Sequence, residues 1–159
     1  MSLDSVDLVL SWEQSLGVEI TNAEAEMLRT TRGAIDLISG KLAAADDSAS
    51  CCLTLRAFHR LRSALAVATG CPSRAIRLQS RLRDILPEED RRAAWDEVRT
   101  VSGFLLLPKL RMGTGRFFLP ITVEDAVMQV VGESAHLLKP SDQPWTHTEV
   151  RTAVAPRSV

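Results

Sequence analysis

The strongest constraint on the fold is a succession of helix start and stop signals in the first 42 residues. Apolar residues recur at the spacing of one helical face over residues 3–16, and a glycine follows at once. Thr21 is followed three residues later by Glu24, the capping-box signature of a helix N-terminus, and Thr30 or Thr31 can start a further helix. These signals predict three consecutive short helices and an all-α fold.

The sequence changes character after this segment. Residues 43–50, AAADDSAS, are small and polar without periodicity, so residues 43–52 are predicted to be a linker. Beyond it, Thr54 can cap a helix that a glycine and a proline end. The apolar stripe predicted for this helix is Leu55, Phe58, Leu61, Leu65 and Ala68, and a later helix is predicted to bury Trp95, Val98 and Val101.

The last third of the chain contains one ambiguous segment and one clear helix. Residues 104–121 are two apolar runs around a glycine-containing turn, which indicates a long loop or a short β-hairpin, with the loop preferred. Thr122 and Asp125 then form another capping-box pattern ahead of an apolar stripe. A second helical domain is therefore predicted over residues 53–138, and residues 139–159, polar and mixed, are expected to be a disordered tail.

Charge is distributed unevenly along the chain. Residues 1–42 contain 7 acidic and 3 basic residues, whereas residues 43–159 contain 13 acidic and 16 basic residues. The acidic part is unsuited to binding a phosphate backbone and suits a partner with a basic surface. The basic part is too weakly charged to indicate nucleic-acid binding.

Cysteine and histidine placement excludes several classes of site. The three cysteines are an odd number without paired spacing, which argues against a disulfide framework and favours a cytoplasmic location. His59, His136 and His147 are scattered and lack the companions of a metal site, so no metal is expected. The longest apolar run, residues 103–107, is too short to cross a bilayer.

The order of elements in the first 42 residues carries a family resemblance. The segment MSLDSVDLVLSWEQSLGVEITNAEAEMLRTTRGAIDLI resembles acyl carrier proteins from their Asp-Ser-Leu motif through their last helix, without a gap. Ser2 matches the motif serine and Leu3 the leucine, but Met1 stands where the family has aspartate. The expected fold is accordingly a small helical bundle of the acyl-carrier type.

The resemblance implies a carrier function and not an enzyme. In the family the motif serine opens the second helix and carries phosphopantetheine, so the implied cofactor is a covalent phosphopantetheine arm on Ser2. The implied partners are a phosphopantetheinyl transferase and the acyl-loading or acyl-transferring enzymes of fatty acid or secondary metabolite biosynthesis. The residues predicted to meet these partners are Leu3, Asp4, Asp7 and Glu13. The simpler interpretation is that Ser2 only caps a helix and that the acids form a solvated face.

The resemblance covers only the later half of a carrier domain, as a truncated unit over residues 1–42. Three short helices bury little apolar surface, so either the chain starts too late or another part of the protein completes the core. Residues 53–132 carry a weaker likeness to a second, degenerate carrier-like unit that lacks a modifiable serine. The alternative function is a noncatalytic protein-interaction module, derived from a carrier, that no longer carries the arm.

Overall fold

The computed structural model describes residues 3–46, 52–107, 122–140 and 142–154. Within these residues the secondary structure is helical, and the all-α prediction is confirmed. The helices are α1 (Leu3–Leu16), α2 (Asn22–Met27), α3 (Thr31–Lys41), α4 (Leu53–Thr69), α5 (Leu82–Ile85), α6 (Arg91–Ser102), α7 (Val123–Ser134) and α8 (His147–Val154), with short 3-10 turns at Ser73–Ala75 and Ala135–Leu137. The hairpin alternative falls mainly on residues 108–121, which lie outside the described residues.

The chain forms two compact units, and the first of them is built from two separate stretches of the sequence. The first unit joins the residues up to Leu53 with those from Val131 onward, and the second runs from Thr54 to Val130. This division differs from the expected domain of residues 53–138, because the last turn of α7 and all of α8 belong to the first unit.

Local signals set the bounds of α1, α2 and α3 as predicted. Helix α1 ends at Leu16, and Gly17 follows in the left-handed region with φ of +67°. Both hydrogen bonds of the capping box between Thr21 and Glu24 are present at the start of α2. The hydroxyl of Thr30 accepts the backbone N–H of Gly33 at 3.1 Å and caps α3.

The core of the first unit is completed by the C-terminal part of the chain. Helix α8 packs against α3 and α1, and the turn Ala135–Leu137 also contacts α1. The buried apolar residues are Val9, Trp12, Leu16, Ile20, Ala25, Ala34, Ile38, Leu53, Val131, Ala135, Leu138, Val150, Ala153 and Val154. Val6 and Leu10, although part of the apolar pattern of α1, lie on its exposed side.

The expectation of a disordered tail is therefore wrong for residues 147–154. Thr146 and Glu149 form a capping box at the start of α8, with Thr146 N–H donating to Glu149 Oε2 at 3.0 Å and Glu149 N–H donating to Thr146 Oγ1 at 3.4 Å. The apolar face of α8 is buried in the first unit. A short helix of this kind is stable because of that tertiary packing, which the polar composition of the segment does not reveal.

In the second unit, the buried face of α4 overlaps the predicted one only in part. Leu61 and Leu65 are buried as predicted, together with Ala57 and Ala64, whereas Leu55 is 52% exposed. The predicted cap at Thr54 is also wrong, since α4 already begins at Leu53. Helix α4 has apolar residues on more than one face, so periodicity alone did not identify the buried one.

The other helices of the second unit match the sequence more closely. The stripe of α7 that lies in this unit is buried as predicted, at Val123, Ala126, Val127 and Val130, and Thr122 and Asp125 form their capping box. In α6, Trp95 and Val98 are buried, but Val101, predicted to face the core, is 49% exposed.

No helix among the described residues has the length and apolar character required to cross a lipid bilayer.

Candidate functional site

The candidate site is centred on α1, the first helix of the first unit. Leu3 is its first helical residue. Ser2, the predicted attachment point, lies outside the described residues, as do the side chains of Leu3 and Asp4. What the structure describes is the platform that follows them in the sequence.

Asp7 lies on the solvent side of this platform. Val9, Trp12 and Leu16 are buried on the opposite side of α1, and Asp7 is exposed together with Val6 and Leu10. The exposed side of α1 therefore combines a carboxylate with two aliphatic side chains. Such a surface suits a partner that is both basic and apolar.

Glu13, which is also predicted to contact partners, accepts a hydrogen bond within the first unit. Its Oε1 accepts the backbone N–H of Ile20 at 2.6 Å. This bond spans the loop that leads from α1 to α2 and holds the buried side chain of Ile20 in place. Glu13 is half-buried, so less of its carboxylate faces solvent than at Asp7.

A cleft of about 210 Å³ opens beside α1. It is lined by Ser5, Leu8, Val9, Trp12, Ala25, Leu28, Arg29, Thr30 and Thr31, which come from α1, from α2, from the connection between α2 and α3, and from the first residue of α3. Most of these residues are apolar, with one arginine and three hydroxyls. Sequence reasoning missed the cleft because its walls are distant in sequence and no motif marks them.

An ion pair connects α2 and α3, two helices that each contribute a residue to the lining of the cleft. Glu24 Oε1 lies 2.8 Å from Lys41 Nζ, which connects the start of α2 to the end of α3. The hydrogen bond from Lys41, together with those from the Thr21 backbone and hydroxyl, lowers the pKa of Glu24 from 4.5 to about 2. Glu24 is therefore charged throughout the neutral range, and the two helices are held together there.

The C-terminal end of α1 is anchored by buried polar contacts. Ser15 is fully buried, and its hydroxyl donates to Val131 O at 3.5 Å and accepts the Ala135 N–H at 3.3 Å. His136 Nδ1 lies 3.1 Å from the backbone oxygen of Ser15. Residues that the sequence analysis assigned to a different domain thus position the helix of the candidate site.

Two further kinds of candidate feature are metal-binding groups and cysteine thiols. Among the described residues, no three or more histidine, cysteine, aspartate or glutamate side chains are grouped closely enough to hold a metal ion. Cys52 is exposed and Cys71 half-buried, both as free thiols.

Comparison with known proteins gives a match over part of the chain. Over 43 residues, 27% of this chain, the sequence is 49% identical to an acyl carrier protein from Thermosynechococcus vestitus. This part of the chain resembles an acyl carrier protein. The chain spans 53% of the length of that relative, about half. No family model matches the sequence, and no solved structure matches it.

The match and the geometry agree on a carrier-like segment. The described helices α1, α2 and α3 follow the order expected from the sequence resemblance, and the all-α fold is consistent with it. Helix α8, which packs against α3 and α1, follows the second unit in the sequence.

Proposed function

We propose that the first unit is an acyl carrier that presents a thioester-linked acyl group on a phosphopantetheine arm attached to Ser2. The 49% identity to an acyl carrier protein supports this most directly. The protein would act in the cytoplasm without catalysing a reaction itself, and its partner enzymes would supply the acid, base and oxyanion chemistry. A phosphopantetheinyl transferase would load the arm, and acyl-loading or acyl-transferring enzymes would use it.

The helix that follows Ser2 suits this chemistry. Helix α1 is 14 residues long, and in any α-helix the first backbone N–H groups have no acceptor within the helix itself. These groups and the positive end of the helix dipole favour a phosphodiester at the helix start. A serine placed there needs only an accessible hydroxyl to accept the arm.

The cleft beside α1 supports a role in holding part of the acyl group. Its volume of about 210 Å³ is below the ~300–1,000 Å³ of pockets that enclose a whole small ligand. Only a portion of an acyl chain would therefore enter between Trp12 and Leu28. The exposed side of α1, with Asp7, would remain available to the partner enzymes.

The decisive experiment is intact-protein mass spectrometry after incubation with coenzyme A, magnesium and a broad-specificity phosphopantetheinyl transferase. The parent chain is expected to gain the mass of one phosphopantetheine group, and Ser2→Ala is expected to gain nothing. Ser5→Ala, a serine of the same helix, is the matched control and is expected to gain the same mass as the parent. A gain that persists in Ser2→Ala would overturn the assignment of the site.

One observation favours a second candidate. Met1 stands at the position of the family's motif aspartate, so this chain departs from the family pattern beside the attachment serine. If the parent chain gains no mass, the carrier function is lost and a noncatalytic interaction module remains. In that case the predicted likeness of residues 53–132 to a degenerate carrier unit would indicate common ancestry with carrier proteins and not carrier activity.

A further inference from the structure

The second unit has a surface feature that the carrier function does not use. A shallow groove of about 500 Å³ runs along α4. It is lined by Leu55, Arg56, His59, Arg60, Ser63, Ala64, Val67 and Val101. Seven of these residues come from α4 and the eighth from α6, so the groove follows the length of one helix.

The floor of the α4 groove is apolar and exposed. Leu55 is 52% exposed, Val67 63% and Val101 49%, all well above the level of a core residue. Small side chains at Ser63 and Ala64 lie between Leu55 and Val67 in the sequence and allow close approach by another backbone. A groove with apolar residues at helical spacing is the surface to which an amphipathic helix binds.

The α4 groove is also positively charged. Helix α4 contains Arg56, Arg60 and Arg62 and no acidic residue. The guanidinium of Arg60 lies 4.8 Å from the centre of the Phe104 ring, and that of Arg62 lies 5.0 Å from the Phe58 ring. These cation–π contacts limit the freedom of both cations and keep them near α4.

Helix α1 has the complementary properties. It contains three acidic residues and no basic one. Its exposed side presents Val6 and Leu10, 38% and 54% exposed, next to the exposed carboxylate of Asp7. Val6 and Leu10 are one helical turn apart, so they can enter a groove together while Asp7 meets an arginine at its rim.

We propose that the α4 groove binds helix α1 of a second copy of this chain. Each copy carries both surfaces, so α1 of one copy would bind α4 of the other. We choose this occupant because α1 is acidic and partly apolar, whereas the α4 groove is basic with an apolar floor. The proposal does not rest on the carrier function, and the partner enzymes of a carrier would compete with this contact for the exposed side of α1.

The test is a charge exchange in the full-length chain, read by sedimentation equilibrium from about 1 to 300 μM, a range suited to small, weak interfaces. One variant carries Arg56→Glu and Arg60→Glu in the groove. The other carries Asp4→Arg and Asp7→Arg in α1. Each alone is expected to weaken self-association at least about tenfold, because attraction becomes repulsion where α1 meets α4. An equimolar mixture is expected to restore it to within about threefold, since each α1 then meets an α4 of opposite charge.

Matched controls separate this effect from net charge. Arg74→Glu with Arg77→Glu changes the charge of the second unit equally at exposed positions outside the groove. Glu19→Arg with Asp36→Arg does the same in the first unit. Both are expected to associate like the parent. A parent chain that stays monomeric at all concentrations, or a mixture that does not recover, would overturn the proposal, while recovery in the mixture also shows that both variants are folded.

Discussion

At the scale of single residues, the most consequential contact is a buried ion pair in the first unit. Lys139 Nζ lies 2.6 Å from Glu149 Oε2, and the two side chains are only 5% and 1% exposed. The same carboxylate oxygen accepts the backbone N–H of Thr146. Glu149 thus pairs with a lysine and also forms half of the capping box of α8, so two different interactions depend on one side chain.

Removing the lysine alone is expected to be costly. Lys139→Met leaves the carboxylate of Glu149 buried without its cation, which costs about 3–5 kcal/mol of unfolding free energy. The double variant with Glu149→Gln removes the charge but keeps an acceptor for the Thr146 N–H, so it is expected to be more stable than Lys139→Met. Urea unfolding of the three chains measures this. A double variant less stable than the single one would contradict the expectation.

The ion pair of Glu24 with Lys41 predicts a pH dependence. Because the folded-state pKa of Glu24 is about 2 and its ordinary value 4.5, folding is stabilised above pH 4.5 and this contribution is lost as the pH falls from 4.5 to 2. Glu24→Gln is expected to flatten the fall of unfolding free energy in that window. Glu26→Gln, an exposed change of equal charge on the same helix, isolates the contacts with Lys41 and Thr21. Identical profiles for the two variants would contradict the assignment.

At the scale of elements, α8 is the helix whose stability is most open to test. Thr146 is fully buried and its hydroxyl accepts the Glu149 N–H. Thr146→Ala is expected to lower the unfolding free energy by about 1 kcal/mol, the usual cost of losing an N-cap. Thr148→Ala, at an exposed position of α8, is expected to stay within about 0.5 kcal/mol of the parent. Chemical denaturation compares them, and equal losses would argue against the cap.

The sequence predicted the elements whose ends are set locally. Gly17 and Thr21 act within one helical turn of themselves, so α1 and α2 could be located from the pattern alone. Thr146 and Glu149 have the same capping-box spacing, but the prediction for the tail was based on its polar composition alone. Its helix exists because Val150 and Val154 are buried in the first unit, a tertiary effect.

Which face of a helix is buried was predicted less well. Leu55 and Val101 fit apolar stripes on α4 and α6, yet both are exposed and line the α4 groove. Periodicity finds apolar stripes, but the packing partners decide which stripe is covered. The cleft beside α1 escaped prediction for the same reason, because it exists only once α1 and the residues around Leu28 are brought together.

At the scale of the whole molecule, the first unit draws its core from both ends of the chain. Residues up to Leu53 pack with those from Val131 onward, and α8 contacts both α3 and α1. Of the two alternatives left open by the sequence, a late start or completion of the core by another part of the protein, the second has a structural counterpart in α8 and the Ala135–Leu137 turn, which pack against these helices. The acyl-carrier-like segment is therefore dependent on residues that follow the second unit.

This dependence predicts an asymmetric response to truncation. A chain ending at Pro140 loses α8 and the partner of Lys139, which uncovers apolar residues such as Ile38 in the core of the first unit. Because so few buried contacts would remain, α1, α2 and α3 are expected to lose protection from amide hydrogen exchange. Helices α4 and α6, whose unit runs from Thr54 to Val130, are expected to keep it.

The matched control is a chain ending at Val154, which retains all of α8 and is expected to exchange like the parent. Hydrogen exchange with mass spectrometry reports each helix separately, so a general loss of stability can be told from a loss confined to the first unit. Unchanged protection of α1 to α3 in the chain ending at Pro140 would mean that the three helices are stable alone. The carrier-like segment would then need no completion by α8, and the packing of α8 on α3 would be incidental to the candidate site.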